Sequence, residues 1–342
     1  MLRFLKNWTL PVAIAVGAFF YFLFAGIPEL DCAATLLSPI FDTLLPLTIF
    51  LTLFITFSKV DFHLMKLRKW HLSILAMQLL LVVLLVIITL YASALTFSLF
   101  SSSALSVKLL LEAVLICIIA PCASASPVVT AKLGGDLTQM TTFVLLSSVV
   151  TSLLIPAVFP MLEPGHGTTF LAAFLAILHR LALVLLLPLI LGAIVRHWVK
   201  PLYRWFVRTP DLGFYCWSVS LAITSGITMK NIVHSGAGAE LLSVIALLTL
   251  LTSFIQFRIG RSIGRAFGEH ICTGQAMFQK NTGLAIWIAY TYLTPVASIG
   301  AGCYVLWQNI INSYELWQHR HSAASAAGTA TTPTTTQRST PR

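Results

Sequence analysis

The stretch Ala120–Val129 reads APCASASPVV and interrupts an apolar segment that is otherwise long enough to be a single membrane helix. Pro121 and Pro127 lie on either side of Ser124 and Ser126. Each proline removes a backbone donor and collides with the preceding turn of a helix. Two prolines at this spacing therefore predict a broken helix, whereas a lone proline would indicate an ordinary kink.

A second interruption lies in the other half of the chain, where Phe278–Leu284 reads FQKNTGL between two apolar runs. Lys280 places an ammonium group in a segment that otherwise resembles a membrane span. Unwound backbone at membrane depth is tolerated only where it faces protein or a wet cavity. Broken helices at matching positions in two halves point to the midplane binding site of a transporter. We therefore expect the two breaks to form one site.

Composition places the whole chain in a membrane. Of its 342 residues, 58% are hydrophobic and only 9% are charged, and the mean hydropathy is +0.90. Soluble domains carry roughly 25% charged residues, so this composition excludes a soluble protein with a large core. The fold class predicted is an all-α polytopic membrane protein. Six cysteines show no paired spacing and are expected to be small packing residues, with no disulfide or zinc framework: Cys32, Cys117, Cys122, Cys216, Cys272 and Cys303.

Charge and turn residues divide the chain into about ten predicted spans, near 9–26, 36–58, 71–92, 105–134, 137–160, 176–197, 211–231, 239–260, 270–293 and 296–317. His179 and Arg180 argue against one continuous helix over 168–196, so 169–178 is predicted to be an interfacial lead-in. The first span is expected to be retained, because no small-residue cleavage site precedes a soluble chain.

The basic residues indicate the topology. They follow the second, sixth and eighth spans, while the alternate loops are acidic or uncharged. The positive-inside rule then predicts a multi-pass protein of the cytoplasmic membrane with both termini in the cytoplasm. The net charge of +10 is spread over separate loops, so we expect the lipid bilayer as a partner and no nucleic acid. The oligomeric state stays open.

The segments 120–160 and 276–313 resemble the two signature segments of the bile acid:sodium symporter family. The likeness rests on the order Ala-Pro, a small polar run, Gly-Asp, then Asn-Thr-Gly-Leu-Ala and Trp-Gln-Asn. It implies two inverted five-helix repeats whose broken helices 4 and 9 cross, with a core and a panel domain. On that likeness the divisions are 1–70 (panel helices 1–2), 71–160 (core helices 3–5), 161–235 (panel helices 6–7), 236–318 (core helices 8–10) and 319–342 (a disordered, low-complexity tail).

The positions at which the family binds sodium differ here. In an alignment on Asn281-Thr282-Gly283, the family's glutamate ligand falls on Ala276 and a glutamine ligand on Lys280. Two hydroxyl ligands of the family fall on Met140 and Val144. Hard cations require several oxygen ligands, so the resemblance implies an incomplete sodium site, and no metal or cofactor is expected, although sodium stays possible.

Two further positions of the likeness complete the candidate site. The family's Ser-Asn pair is Ser126-Pro127 in this chain, and Gln78 matches the third-span glutamine. The candidate substrate- or ion-binding residues are therefore Gln78, Ser124, Ser126, Pro127, Gln279, Lys280, Asn281 and Thr282.

Lys280 suggests that a fixed cation replaces the sodium ion and holds the two broken helices together through their carbonyl ends. Because desolvation favours a neutral amine, Lys280 either titrates and couples transport to protons, or stays charged and pairs with an anionic substrate. Two alternatives remain open. Lys280 snorkels to the interface or pairs with Asp136, or sodium coupling persists with a rearranged ligand set.

The function predicted is a secondary transporter that moves an organic anion, bile acid-like or a smaller carboxylate, by alternating access. No catalytic residues are expected. The competing class is an intramembrane enzyme, but the sequence LGGD at 133–136 has no second intramembrane aspartate to form a dyad. A channel or sensor is separated from a carrier only by flux kinetics. Lys108 and Glu112 are expected to neutralise each other at i, i+4 spacing, and Trp307, Gln308 and Asn309 to hydrogen bond between helices.

Overall fold

The computed structural model describes residues 2–27, 31–99, 103–163, 169–209 and 212–329. These residues are predominantly helical and contain no β-strand, which confirms the all-α prediction for the described chain. The α-helices are α1 (Leu2–Gly26), α2 (Asp31–Ser58), α3 (Lys69–Leu99), α4 (Ser103–Ile119), α5 (Ser126–Lys132), α6 (Leu137–Leu162), α7 (Phe170–Leu181), α8 (Leu187–Trp198), α9 (Lys200–Arg208), α10 (Leu212–His234), α11 (Ala239–Arg265), α12 (His270–Phe278), α13 (Thr282–Tyr292) and α14 (Pro295–Thr329).

Several of these helices have the length and composition of membrane spans. Within the described residues, four helical stretches are apolar and long enough to cross a bilayer: Lys69–Ala92, Leu137–Leu162, Phe170–Trp198 and Ala239–Arg265. Their surfaces are apolar too, since Leu80, Val83 and Leu84 of α3 each expose half or more of their area. Such apolar exteriors suit lipid and not water, so the chain is a multi-pass membrane protein.

The sixth predicted span differs from its prediction. Residues Phe170–Trp198 form one continuous helical stretch, in which a π-helical segment, Ala182–Leu186, joins α7 to α8. The expected separation of an interfacial lead-in before His179 and Arg180 is wrong. Both side chains lie on the exposed side of α7, so neither charge has to be buried and neither ends the helix.

The fourth and ninth predicted spans are both interrupted, as the sequence indicates. In the fourth, α4 ends at Ile119 and α5 begins at Ser126, with Pro127 in its first turn. In the ninth, α12 ends at Phe278 and α13 begins at Thr282. The polar and proline residues singled out above therefore lie between half-helices.

Helices pack in two neighbourhoods around these breaks. In one, α2 packs against α8 and α10, and α10 packs along α1. In the other, α11 packs along α12 and α14, and α14 also contacts α4 and α13. Two glycines allow backbones to approach closely in the second neighbourhood. A Cβ at Gly260 would lie 2.5 Å from the Thr273 carbonyl oxygen, and one at Gly300 would lie 2.6 Å from that of Ala113.

The last helix is longer than expected. Because α14 continues to Thr329, the prediction of a disordered tail from residue 319 is corrected for residues 319–329. The segment from Ser322 to Gly328 is rich in alanine, the best helix former, and adding residues to an existing helix avoids the cost of nucleation. The rest of the predicted tail, residues 330–342, lies outside the described residues.

Candidate functional site

The two breaks lie against each other and are joined through their main chains. Cys122 and Lys280 form an isolated antiparallel bridge. The Ala123 N–H donates to the Gln279 carbonyl at 3.0 Å, and the Asn281 N–H donates to the Pro121 carbonyl at 2.8 Å. These bonds satisfy backbone groups that neither half-helix can satisfy and that lipid could not. The two breaks are therefore in direct contact, as expected.

Side chains of α14 and α11 hold the second break in place. Gln308 accepts a hydrogen bond from the Lys280 N–H at 3.0 Å, and its amide donates to the Lys280 carbonyl at 3.3 Å. Tyr304 donates to the Phe278 carbonyl at 2.8 Å and accepts from Gln256 of α11 at 3.0 Å. All three of these polar side chains are buried, so each hydrogen bond is made in a dry interior.

Side chains of α3 and α6 hold the first break in the same way. The Gln78 amide donates to the Ile118 carbonyl at 2.9 Å and lies 3.3 Å from that of Ala120. Ser147 of α6 accepts from the Cys122 N–H at 2.9 Å. The carbonyl end of α4 is thus bound by Gln78, and not by the amine of Lys280.

The side chain of Lys280 is enclosed within the protein. Only 1% of the residue is exposed, and its Nζ has no hydrogen-bond partner among the described residues. The thiols of Cys122 and Cys117 are its electrostatic neighbours. Asp136 instead caps α6, accepting from the N–H groups of Thr138 and Gln139. Neither alternative for Lys280, snorkelling to the surface or pairing with Asp136, matches this placement.

The charge of Lys280 lies where helix dipoles favour a cation. Lys280 follows the end of α12 at Phe278 by two residues, and its bridge partner Cys122 follows the end of α4 at Ile119 by three. The carbonyl ends of α4 and α12 therefore both lie close to the main chain of Lys280. A helix carries roughly half an elementary negative charge at its C-terminal end, so this is a favourable site for a positive group.

A small cleft opens beside the crossing, on the side of α2 and α10. The residues of the two breaks that line this cleft are Ser124, Asn281, Thr282 and Gly283. The facing helices contribute Ile49, Thr52, Trp217, Ser220, Leu221 and Thr224. The lining contains hydroxyl, amide and aromatic groups and no charged side chain. It also includes the first turn of α13, whose amide end favours negative charge.

The structure places the predicted site residues in two layers. Ser124, Asn281 and Thr282 line the cleft. The other predicted residues are buried within the crossing and do not line it: Gln78, Ser126, Pro127, Gln279 and Lys280. The two layers are continuous through the main chain from Gln279 to Thr282.

The residues at the family's sodium positions fit that ion poorly. Ala276, Met140 and Val144 are fully buried apolar side chains, and the Ser126 hydroxyl accepts from the Cys122 thiol at 3.3 Å. Among the predicted site residues, two buried oxygens nevertheless lack a hydrogen-bond donor in the described structure, Oε1 of Gln78 and Oε1 of Gln279. The described residues contain no cluster of three His, Cys, Asp or Glu side chains able to hold a metal ion.

Sequence reasoning missed several residues of this site. Gln308 was expected to join helices, but it binds the main chain of the break; Trp307 does join helices, donating to the Ala246 carbonyl at 3.0 Å. Tyr304 and Ser147 carry no sequence signal, because their partners are backbone groups of distant segments. Only the Trp-Gln-Asn run offered a clue to Gln308.

Lys108, Glu112 and Glu163 form a separate cluster of charges. Lys108 lies 3.7 Å from Glu112, as the i, i+4 spacing predicts, but it is closer to Glu163, at 2.6 Å. Glu112 is fully buried and neither of its carboxylate oxygens makes a hydrogen bond within the described structure. The Lys108 ammonium therefore lies within ion-pair distance of two carboxylates.

Comparison with known proteins identifies a family. The profile of the sodium bile acid symporter family matches residues 46–235, more than half of the chain, a stretch that contains the first break and its flanking helices. A search of curated proteins found no significant match.

Proposed function

Because this chain belongs to the sodium bile acid symporter family, we propose that it is a secondary transporter that carries an organic anion across the membrane by alternating access. The family is one of transporters and not of enzymes, and the site contains polar and cationic groups suited to binding. The transported anion is a bile acid-like molecule or a smaller carboxylate. No catalytic residue is part of this proposal.

The proposed architecture has two inverted five-helix repeats in about ten spans. Residues 1–70 and 161–235 are the panel, residues 71–160 and 236–318 are the core, and both termini lie on the cytoplasmic side of the cytoplasmic membrane. The packing of α2 with α8 and α10, and of α14 with α4 and α13, supports this division. The cleft lies where the two groups of helices face each other.

The cleft supports an anionic substrate. Ser124, Asn281 and Thr282 present hydroxyl and amide groups, and the N-terminal end of α13 adds a positive dipole. Trp217, Ile49 and Leu221 supply an apolar surface opposite them. An amphipathic carboxylate, with its charged group at α13 and its apolar body against α2 and α10, satisfies both sides.

The observation that carries the coupling proposal is the burial of Lys280, whose main chain lies between α12 and α13 and bridges to the break that follows α4. In this proposal Lys280 takes the place of the sodium ion. Its charge stabilises the crossing through the two helix dipoles, while Gln78 and Gln308 make the direct hydrogen bonds. Transport is then coupled to protons, if the amine titrates during the cycle, or to no ion.

A sodium-coupled symporter with a rearranged site is the second candidate. The unpartnered Oε1 atoms of Gln78 and Gln279 favour it, because buried carbonyl oxygens without donors suit a hard cation. Against it, the amine of Lys280 occupies the same crossing and would repel the ion.

Uptake into proteoliposomes separates these possibilities. Labelled cholate and labelled lactate serve as probes, with sodium and proton gradients imposed one at a time. The variants are Lys280→Gln, Lys280→Met, which keeps an unbranched chain without the charge, and Lys230→Gln, which removes an exposed lysine of α10 as a control.

We expect the native protein and Lys230→Gln to take up substrate without sodium. In both Lys280 variants we expect uptake to be lost or to become independent of the ion gradients. Proton-driven uptake that vanishes in these two variants identifies a titrating amine. If uptake by the native protein strictly requires sodium, Lys280 does not replace the ion. If uptake is unchanged in Lys280→Met, Lys280 has no role in transport.

A further inference from the structure

The short helix α9 (Lys200–Arg208) connects the end of the Phe170–Trp198 span to α10. One face of α9 is anchored to the bundle, because Phe206 is only 4% exposed and packs with Ile55 and Val195. The helix therefore lies at the level where a span ends, and its orientation about its own axis is fixed by this packing.

The exposed face of α9 carries a row of positive charge. Lys200, Arg204 and Arg208 are spaced i, i+4 and i+8, so they lie on one side of the helix, and all three are exposed. None of the three forms an ion pair with any described residue. Asp61, the acid nearby, is already paired with Arg196 at 2.6 Å.

This row is unfavourable for an isolated helix. Like charges four residues apart repel each other, and Lys200 and Arg204 donate only to helix carbonyls, those of Arg196 and Lys200. Most of their hydrogen-bond donors remain available. The row thus has both the charge and the donors for an external anionic group.

Two tryptophans beside the row indicate where that group lies. Trp198 is 77% exposed and Trp205 is 52% exposed. Exposed tryptophans in a membrane protein are enriched at the headgroup level, where their rings contact both acyl chains and water. A short helix with basic and aromatic residues on neighbouring faces is the pattern of a segment that lies in the interface.

We propose that Lys200, Arg204 and Arg208 form a binding site for anionic phospholipids, with the lipid phosphate bound along the row and its acyl chains beside Trp198 and Trp205. Guanidinium groups bind phosphate oxygens in pairs, so the two arginines give the row its preference for phosphate. The site is independent of the substrate cleft and of the proposed transport function.

Native mass spectrometry of the full-length protein in detergent tests this site, with phosphatidylglycerol and phosphatidylcholine as probes. The test variant is Lys200→Gln/Arg204→Gln/Arg208→Gln. The control variant, Lys66→Gln/Arg258→Gln/Arg265→Gln, removes the same charge from exposed residues outside α9. Each basic residue at a membrane surface contributes roughly fivefold to the binding of anionic lipid.

We expect the dissociation constant of the first bound phosphatidylglycerol to rise at least about tenfold in the test variant and to stay within about twofold in the control. Phosphatidylcholine binding should be the same in all three proteins, which also reports that they are folded. The single variant Arg204→Gln, the least disruptive to α9, should raise the dissociation constant of phosphatidylglycerol about fivefold. Equal binding by native and test proteins, or an equal loss in test and control variants, would refute the site.

Discussion

Replacing Gln308 with methionine tests whether this side chain holds the second break. Methionine is an unbranched side chain of nearly the same length, so it fills most of the space and removes the hydrogen bonds. The Lys280 N–H then loses its acceptor at 3.0 Å and the Lys280 carbonyl loses its donor at 3.3 Å. Both groups belong to a residue that is 1% exposed, so water does not replace the lost partner.

The size of the effect follows from these two groups. A buried donor left unsatisfied costs about 1–3 kcal/mol, and the longer contact to the carbonyl adds up to about 1 kcal/mol. The expected loss in the free energy of unfolding is therefore about 3 kcal/mol. With an unfolding entropy of about 2.1 cal/mol/K per residue, a chain of 342 residues loses about 4 °C in Tm.

Thermal unfolding in detergent, followed with a thiol-reactive fluorophore, measures this loss. Cys117, Cys122 and Cys272 are buried and become reactive only when the structure opens. The control is Asn309→Leu, next to Gln308 in α14, which removes only a bond from Asn309 to the Val305 carbonyl of the same helix. If Gln308→Met lowers the Tm no more than Asn309→Leu does, the proposed role of Gln308 is refuted.

Two more outcomes are expected in the same assay. Gly260→Ala should cost about 1–3 kcal/mol, because the new Cβ would lie 2.5 Å from a backbone oxygen of α12, whereas Gly238→Ala, with no atom within 4 Å, should leave the Tm nearly unchanged. Lys108→Met should destabilise the protein by about 2–4 kcal/mol, because it leaves Glu112 and Glu163 without their shared cation. That loss should be larger at pH 8 than at pH 5, since protonation of the fully buried Glu112 removes its uncompensated charge. A loss independent of pH would contradict this reading of the cluster.

The two breaks could be predicted because their signals are local. Pro121 and Pro127 disfavour a continuous helix, although Pro156 and Pro160 lie inside the continuous α6. The polar run at 279–282 is conspicuous among apolar residues. The contacts that join the breaks could not be predicted in the same way. The pairing of Cys122 with Lys280 is made by backbone atoms, and no side chain encodes it.

The two errors in helix bounds also have physical causes. Charged residues at 179–180 suggested a helix end, but both are exposed on a helix that continues through them. The composition of the tail suggested disorder, but its alanines extend a helix that is already formed. In both cases the neighbouring structure decided the outcome and the local composition did not.

The single antiparallel bridge also has a mechanical consequence. Two main-chain hydrogen bonds join the breaks, and Gln308 is hydrogen bonded to the main chain of the second break. A displacement of either loop is therefore expected to displace the other. We therefore expect the wall of the cleft formed by Ser124 and Thr282 to shift as a unit relative to α2 and α10.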